Sequence, residues 1–343
     1  MFTPIVRRFL VAAVAGATTM GIAAAPALAI TAKPVTRLAG GDRISTSVAI
    51  SNQEFMAHSA KNVILTAAYT FADAMSAGPL GKLLTAPLLL TTPGELSPAT
   101  LTEIERVLPA PTTTTGTTTT TCTSAPADAV YIVGGYAAIA QSIDTQLNAA
   151  GFNVVRISGA DRFTTSVSVA QCEGSPSTVF LATGNIFADA LSAGPAAALK
   201  GGSVLLTYGT VMPTSVASYL AGLTSPTVYA VGQAAHVADP SATAIIGGDR
   251  FATAALVASQ FFPSPTVVGI ATGSNFPDAL AGGAFMGEVG GPILLTNPLT
   301  LQSADGLYVG QNHATLAQAF LFGGTATLST AVATQAGAAL NQT

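Results

Sequence analysis

An α/β fold built three times over from short parallel sheets is predicted for this chain by two observations. Four sequence landmarks recur in the same order in three copies, and each copy alternates short apolar runs with stretches of helical periodicity. Apolar runs of four or five residues bounded by Gly or Pro suit strands buried on both faces, the condition of a parallel sheet covered by helices. Strands that alternate with helices place the class as α/β.

The first landmark is a Gly-x-Asp-Arg box, present as Gly40-Gly41-Asp42-Arg43, Gly159-Ala160-Asp161-Arg162 and Gly247-Gly248-Asp249-Arg250. Apolar residues follow at helical spacing: Ile44 and Val48; Phe163, Val167 and Ala170; Phe251, Ala255 and Ala258. A strand therefore ends, glycines turn the chain and a helix starts. Asp42, Asp161 and Asp249 stand at the N-cap, where a carboxylate accepts free backbone N–H groups.

The second landmark is a Phe-x-Asp-Ala box, Phe71 to Ala74 and Phe187 to Ala190, with Phe276-Pro277-Asp278-Ala279 as its third copy. The third is an apolar strand ending in threonine: Pro87 to Thr91, Ser203 to Thr207 and Pro292 to Thr296. From Asp73, Asp189 and Asp278 to Thr91, Thr207 and Thr296 the separation is 18 residues every time, whereas the box arginine precedes the aspartate by 30, 27 and 28. The fourth is Val130 to Gly134, Val228 to Gly232 and Ala319 to Gly323, an apolar strand closed by glycine.

The copies divide the chain into residues 35–150, 154–240 and 244–340. The first carries a low-complexity insertion at about 111–123, rich in threonine and expected to be a mobile surface loop. The second has a short link after Gly232, so its last helix is vestigial.

Residues 1–29 read as a secretory signal peptide: Arg7 and Arg8, an apolar run from Phe9 to Ala25, then Ala27-Leu28-Ala29 as the cleavage site. Its removal leaves 10 of 12 basic residues against 16 acidic ones, a net charge of about -6. No other run is apolar enough to span a membrane. With 343 residues and 49% hydrophobic content the chain can bury a large core, while only 8% is charged, so the surface is dressed mainly with hydroxyls. The two cysteines, Cys122 and Cys172, are able to pair in an exported protein.

No Gly-x-Gly-x-x-Gly or Walker pattern follows a strand, so no nucleotide cofactor is expected. His58, His236 and His313 fall in different landmarks and do not recur, which leaves no repeated general base and no metal-ligand spacing. The chain is therefore expected to be non-catalytic, without cofactor or metal, and nucleic acid is not expected as a partner. What recurs is charge of two kinds. Arg43, Arg162 and Arg250 present planar forks suited to carboxylate or phosphate, or to an internal pair with the aspartates of their own module. Asp73, Asp189 and Asp278 follow a strand and open a helix, where open α/β sheets bind ligands; a cap or an ion pair within the module is the alternative.

The four boxes, in this order and three times over from about residue 35 to 340, resemble the cell wall binding repeat type 2 (CWB2) modules of Gram-positive surface proteins. The resemblance implies three Rossmann-like or Toprim-like modules about a pseudo-threefold axis, holding an anionic wall glycopolymer in the clefts between them. It implies ligand-binding roles for Arg43, Arg162, Arg250, Asp73, Asp189, Asp278, Asn185 and Asn275. Signal peptide and repeats account for the whole sequence, so the expectation is a secreted, wall-associated protein with no separate effector domain. The alternative is an adhesin or surface-lattice protein that uses the same modules for protein contacts. The chain departs from the family after the threonine strand, where Thr92-Pro93, Tyr208-Gly209 and Asn297-Pro298 replace the usual basic residue.

Overall fold

The computed structural model describes residues 32–112, 115–122 and 127–342; the signal peptide expected at 1–29 lies outside them. The first repeat runs β1 (Val35–Leu38), α1 (Arg43–Glu54), β2 (Val63–Ala67), a 3-10 turn at Ala74–Ser76, α2 (Gly78–Leu84), β3 (Leu88–Thr91), α3 (Pro98–Val107), β4 (Thr118–Thr119), β5 (Val130–Val133) and α4 (Gln141–Ala149). The second runs β6 (Val154–Ile157), α5 (Arg162–Cys172), β7 (Thr178–Thr183), α6 (Ala188–Lys200), β8 (Ser203–Thr207), α7 (Thr214–Gly222), β9 (Thr227–Val231) and α8 (Gln233–Ala238). The third runs β10 (Thr243–Ile245), α9 (Arg250–Phe261), β11 (Val267–Thr272), α10 (Pro277–Val289), β12 (Ile293–Thr296), α11 (Ser303–Gln311), β13 (Gln318–Phe322) and α12 (Thr330–Leu340). The vestigial helix expected after Gly232 is α8, six residues long.

Three all-parallel sheets result, ordered β3-β2-β5-β6-β4, β8-β7-β9-β10 and β12-β11-β13-β1. The β2, β3 and β5 strands are buried along their whole length, as continuous apolar runs require. Each sheet takes in, beside its fourth-landmark strand, the strand that opens another repeat. β6 pairs with β5 of module one, β10 with β9 of module two, and β1 closes the circle on β13 of module three. The sequence repeat and the sheet are thus offset by one strand, and every Gly-x-Asp-Arg box crosses from one module to its neighbour.

The β1 strand is fastened by more than its ladder. Arg37 donates to the Gly323 carbonyl at 2.7 Å, Gln318 Nε2 donates to Thr36 Oγ1 at 2.7 Å, and the Lys33 N–H donates to Asn341 Oδ1 at 2.7 Å. In module one the corresponding residue, Arg156, donates to the Gly134 carbonyl at 2.8 Å and forms a buried ion pair with Asp144.

The recurring strand threonine has a local cause. Fully buried Thr91 Oγ1 donates to the Glu95 carbonyl (3.1 Å) and accepts from the Ser97 N–H (2.9 Å), tying the turn into α3. Thr296 repeats this with Thr300 (3.3 Å) and Gln302 (2.8 Å), and Thr207 donates to Gly209 at 2.9 Å.

The α2, α6 and α10 helices meet at the centre through small residues. A Cβ on Gly78 would stand 3.2 Å from the Gly194 Cα, and one on Gly287 would stand 2.9 Å from the Ala198 Cβ. Above these helices Phe71, Phe187 and Phe276, one from each Phe-x-Asp-Ala box, pack mutually with ring centroids 5.7, 5.6 and 6.3 Å apart. They mark the pseudo-threefold axis.

The threonine insertion corrects an expectation. Thr118 and Thr119 form β4 in parallel register with Val154 and Val155, so this part of the segment is a fifth strand rather than a mobile loop. A low-complexity run cannot supply a core, but a ladder needs only backbone groups and β-branched threonine favours extended backbone. The edge is pinned by Asn148, whose Nδ2 donates to Thr118 Oγ1 at 2.8 Å, by Asn153, whose Oδ1 accepts from the Thr117 N–H at 3.1 Å, and by the Cys122–Cys172 disulfide to the end of α5. Residues 113–114 and 123 of this segment lie outside the described residues. Among the described residues no helix is long and apolar enough to cross a membrane.

Candidate functional site

The box aspartates cap helices. Asp42 accepts from the Ser45 N–H at 2.7 Å, Asp161 from the Thr164 N–H at 2.7 Å and Asp249 from the Ala252 N–H at 2.8 Å. Ser45 and Thr164 return the bond to the cap backbone, making capping boxes; such caps contribute about 1 kcal/mol each. The first glycine of each box passes directly over the new helix: a Cβ on Gly40, Gly159 or Gly247 would come within 2.4, 2.3 and 2.3 Å of the following turn. Only glycine permits that approach.

This tight entry places the arginine at the first helical position, where its side chain reaches the end of its own module's central strand. Arg43 donates to the Ala68 carbonyl at 2.8 Å, Arg162 to Gly184 at 2.7 Å and Arg250 to Gly273 at 2.7 Å. Each guanidinium also lies over the axial phenylalanine of a neighbouring module: Arg43 over Phe276 (6.0 Å), Arg162 over Phe71 (5.8 Å) and Arg250 over Phe187 (5.6 Å). One fork nitrogen is thereby committed to a backbone carbonyl. The other fork N–H groups have no hydrogen-bond partner among the described residues.

The second aspartate of each module sits against the glycine that ends the fourth landmark. Gly134, Gly232 and Gly323 have φ of +131°, +86° and +111°, and a Cβ on them would stand 3.2, 2.1 and 2.4 Å from Oδ2 of Asp73, Asp189 and Asp278. Asp189 and Asp278 are each only 8% exposed. Burial pushes both carboxyls up to about 6, with Arg250 and Arg43 respectively pulling the other way. Burial also raises Asp73, against hydrogen bonding from Thr165 and the charge of Arg162.

These couplings identify the partners. Asp73 of module one faces Arg162 of module two, Asp189 of module two faces Arg250 of module three, and Asp278 of module three faces Arg43 of module one. Within one module these arginines form no ion pair with an aspartate among the described residues, and Asp42 feels only the charge of the adjacent Arg43 as one of its lesser influences. The offset of one strand swings each box onto the next sheet and brings its arginine to the neighbour's carboxylate. None of the three pairs closes to an ion pair: among the described residues these are Glu103–Arg106 and Asp144–Arg156.

Between modules one and three the arrangement opens as a cleft of about 190 Å³, with Gly41, Arg43, Asn275, Asp278 and Gly324 among its walls. Asn275 thus joins its arginine and aspartate, while its Oδ1 accepts from the Phe276 N–H at 2.9 Å. Asn185 is exposed, and its Nδ2 lies beside Gly209 in the turn after β8. Sequence reasoning assigned no role to Phe71, Phe187 and Phe276, although their recurrence in the box was the available signal. It also passed over Arg37 and Arg156, although both stand six residues before the box arginine, in two of the three copies.

A chain with this geometry has relatives. The family model described as cell wall binding domain 2 (CWB2) matches residues 37–144, 156–241 and 244–333. The N-acetylmuramoyl-L-alanine amidase LytC of Bacillus subtilis is 28% identical over 307 residues, covering 88% of this chain and 58% of that protein. An amidase enhancer of the same organism is 32% identical over 177 residues, 52% of this chain and 22% of that protein. Among solved structures, Cwp8 from Clostridium difficile superposes with a TM-score of 0.76 at 23% identity, covering 90% of this chain and 52% of its own. Cwp6 from the same organism gives 0.78 at 21% identity, with 91% and 48% covered. The chain spans about half the length of the first of these curated relatives and of the two solved structures. Its three matched segments, each holding one full set of boxes, place the chain in the cell wall binding domain 2 (CWB2) family.

Proposed function

We propose that the chain attaches non-covalently to an anionic wall glycopolymer, without catalysing a reaction, and that the anionic groups lie in the three inter-module clefts. The observation that carries this reading is the unfinished coordination of Arg43, Arg162 and Arg250, each anchored by one nitrogen with the rest of its donors unpaired. A guanidinium held in place loses little freedom on binding, and its fork matches phosphate or carboxylate bidentately. Asn185 and Asn275 add amide donors at the same sheet edge.

A net charge of about -6 after removal of residues 1–29 repels a polyanion at long range, but screening over about 8 to 10 Å leaves contact chemistry dominant. The carboxylates opposite the arginines set a pH dependence. Asp189 and Asp278 titrate near 6, so protonation below that pH removes negative charge from their clefts and strengthens anion binding. Three equivalent weak sites on one body gain avidity, on the order of 10²-fold or more when one polymer reaches several. Export by residues 1–29 and residence at the cell surface complete the reading.

The experiment is retention of the chain on purified walls before and after anionic polymers are stripped, for wild type and for R43A/R162A/R250A. Retention lost on stripping and in the triple variant is expected. Equal retention on both wall preparations would exclude an anionic ligand.

A further inference from the structure

We infer that Tyr69, Tyr136 and Tyr208 are stacking platforms for sugar rings, and that they grade the three clefts from saccharide-reading to anion-only. The inference rests on the reading of the clefts as polymer sites and goes on to name what lies beside the anion.

The chain has seven tyrosines, and Tyr69, Tyr136 and Tyr208 expose more than half of their surface, at 57%, 51% and 61%. All three fall within three residues of the C-terminal end of a parallel strand, Tyr69 after β2, Tyr136 after β5 and Tyr208 after β8. That edge is also where the arginines and aspartates converge. A surface dressed chiefly with small hydroxyl residues thus places its exposed aromatic rings beside its anion-binding groups.

Each ring is backed by the protein. The Arg43 guanidinium lies 4.8 Å from the Tyr69 centroid, the Arg156 guanidinium lies 4.6 Å from that of Tyr136, and Phe163 packs edge-on against Tyr208 at 5.7 Å. A cation or an aromatic edge on one side orients the ring and leaves the rest of its surface to solvent. A flat apolar face with a hydroxyl at its rim complements a pyranose, whose C–H face is apolar and whose edge is polar. Arg43 also lines its cleft with Asp278, so one guanidinium both supports the platform and meets the anion. A sugar that carries a phosphate or carboxylate fits both contacts together.

Corresponding positions in the repeats show the grading. Tyr69 corresponds to Asn185 and Ser274, Tyr208 to Thr92 and Asn297, and Tyr136 to Ala234 and Thr325. Tyr136 follows Gly134, which faces Asp73, and Tyr208 packs on Phe163, the residue after Arg162, so two rings stand beside that pair. Tyr69 packs on Arg43, next to the cleft of Arg43 and Asp278 rather than among its walls, and no exposed tyrosine among the described residues packs on Arg250. Unequal rims allow one polymer to be held in a defined direction around the axis.

The test uses the full mature chain on purified walls of the producing bacterium, comparing wild type, Y136A/Y208A, Y136F/Y208F and R162A, with thermal melts of each. Binding of Y136A/Y208A is expected to weaken by roughly tenfold, about threefold for each ring, with the phenylalanine pair near wild type. The chain has no tryptophan, so its fluorescence reports tyrosine alone. Emission is expected to change on addition of glycopolymer released from the wall and to stay constant with inorganic polyphosphate. Wild-type retention by Y136A/Y208A together with loss in R162A would leave the anion reading standing and overturn the platforms. A failure of wild type to bind walls would remove both. An equal loss in the alanine and phenylalanine pairs would assign the effect to the hydroxyls and also overturn stacking.

Discussion

Asp305 sits nine residues after Thr296, at the position held by Thr100 in module one and Val216 in module two. It is 0% exposed, and neither carboxyl oxygen makes a hydrogen bond of good geometry, the Thr296 hydroxyl and the Gln302 N–H being engaged with each other. A neutral side chain fills this site in both other modules: Thr100, which donates its hydroxyl proton to the Leu90 carbonyl at 2.6 Å, and the buried Val216. Burial accordingly pushes Asp305 up to about 8, only partly opposed by Thr296 and the Gln302 backbone. An unfolded aspartate titrates near 3.9, so between about pH 4 and pH 8 the folded chain holds one proton that the unfolded chain has released. Stability from this residue is then complete below pH 4 and falls as pH rises, by about 1.4 kcal/mol per unit. From pH 5 to pH 7 the loss is on the order of 2 to 3 kcal/mol. D305N keeps the shape and is neutral at every pH, so its unfolding free energy lacks this slope. Urea unfolding of wild type and D305N at pH 5 and pH 7, with the disulfide intact, measures the difference. Glu173, raised to about 8, and the cleft aspartates act alike in both proteins and cancel. Parallel pH profiles for the two proteins would show that Asp305 is ionised in the fold and refute the assignment.

G232A forces a Cβ to within 2.1 Å of Asp189 Oδ2 at a φ of +86°, and is expected to lower stability by about 1 to 3 kcal/mol by thermal unfolding; G248A, where a Cβ meets nothing, is the neutral control. Removing the Cys122–Cys172 bridge by C122S/C172S releases a separation of 50 residues, worth about 4 kcal/mol by loop entropy, read as a lower urea midpoint. The same variant is expected to increase hydrogen exchange at Thr118 and Thr119, because β4 then loses its covalent anchor.

What could be read from the sequence was whatever repeats. Three Gly-x-Asp-Arg boxes and an invariant separation of 18 residues between Asp73, Asp189 or Asp278 and the strand threonine expose the α/β unit, its helix starts and its charged edge. The capping role of Asp42, Asp161 and Asp249 followed from chemistry alone, since a carboxylate after a glycine turn meets free N–H groups. Partnership between modules was not legible. Nothing in the residues of β1 says that Val35 pairs with Ala319 rather than with a strand of its own repeat. Hence Arg43 could be assigned a fork but not the carboxylate it faces. The threonine segment misled for a related reason: composition reports the side chains available for a core, whereas β4 is held by backbone bonds, two asparagines and a disulfide. The tyrosines left no pattern because each occurs in one copy only.

The offset between repeat and sheet explains why the candidate sites lie between modules. A self-contained repeat would place Asp and Arg of one copy together, and the natural outcome would be three internal ion pairs with no ligand chemistry left. Sending each leading strand to the previous sheet stretches the box across the boundary. Its aspartate caps a helix on one side, and its arginine is pulled toward the carbonyl of Ala68, Gly184 or Gly273 and over the phenylalanine of the neighbouring module. The opposing carboxylate is meanwhile held back against Gly134, Gly232 or Gly323. Attraction between the two charges is thus resisted by positions that the fold has already taken, and the gap persists as a cleft. Because β1 closes the circle on β13, all three boundaries share the strand offset and the arginine opposite a carboxylate, including the one that the chain does not cross covalently, where the cleft is seen. Triplication supplies the candidate binding groups, and the strand offset keeps them apart.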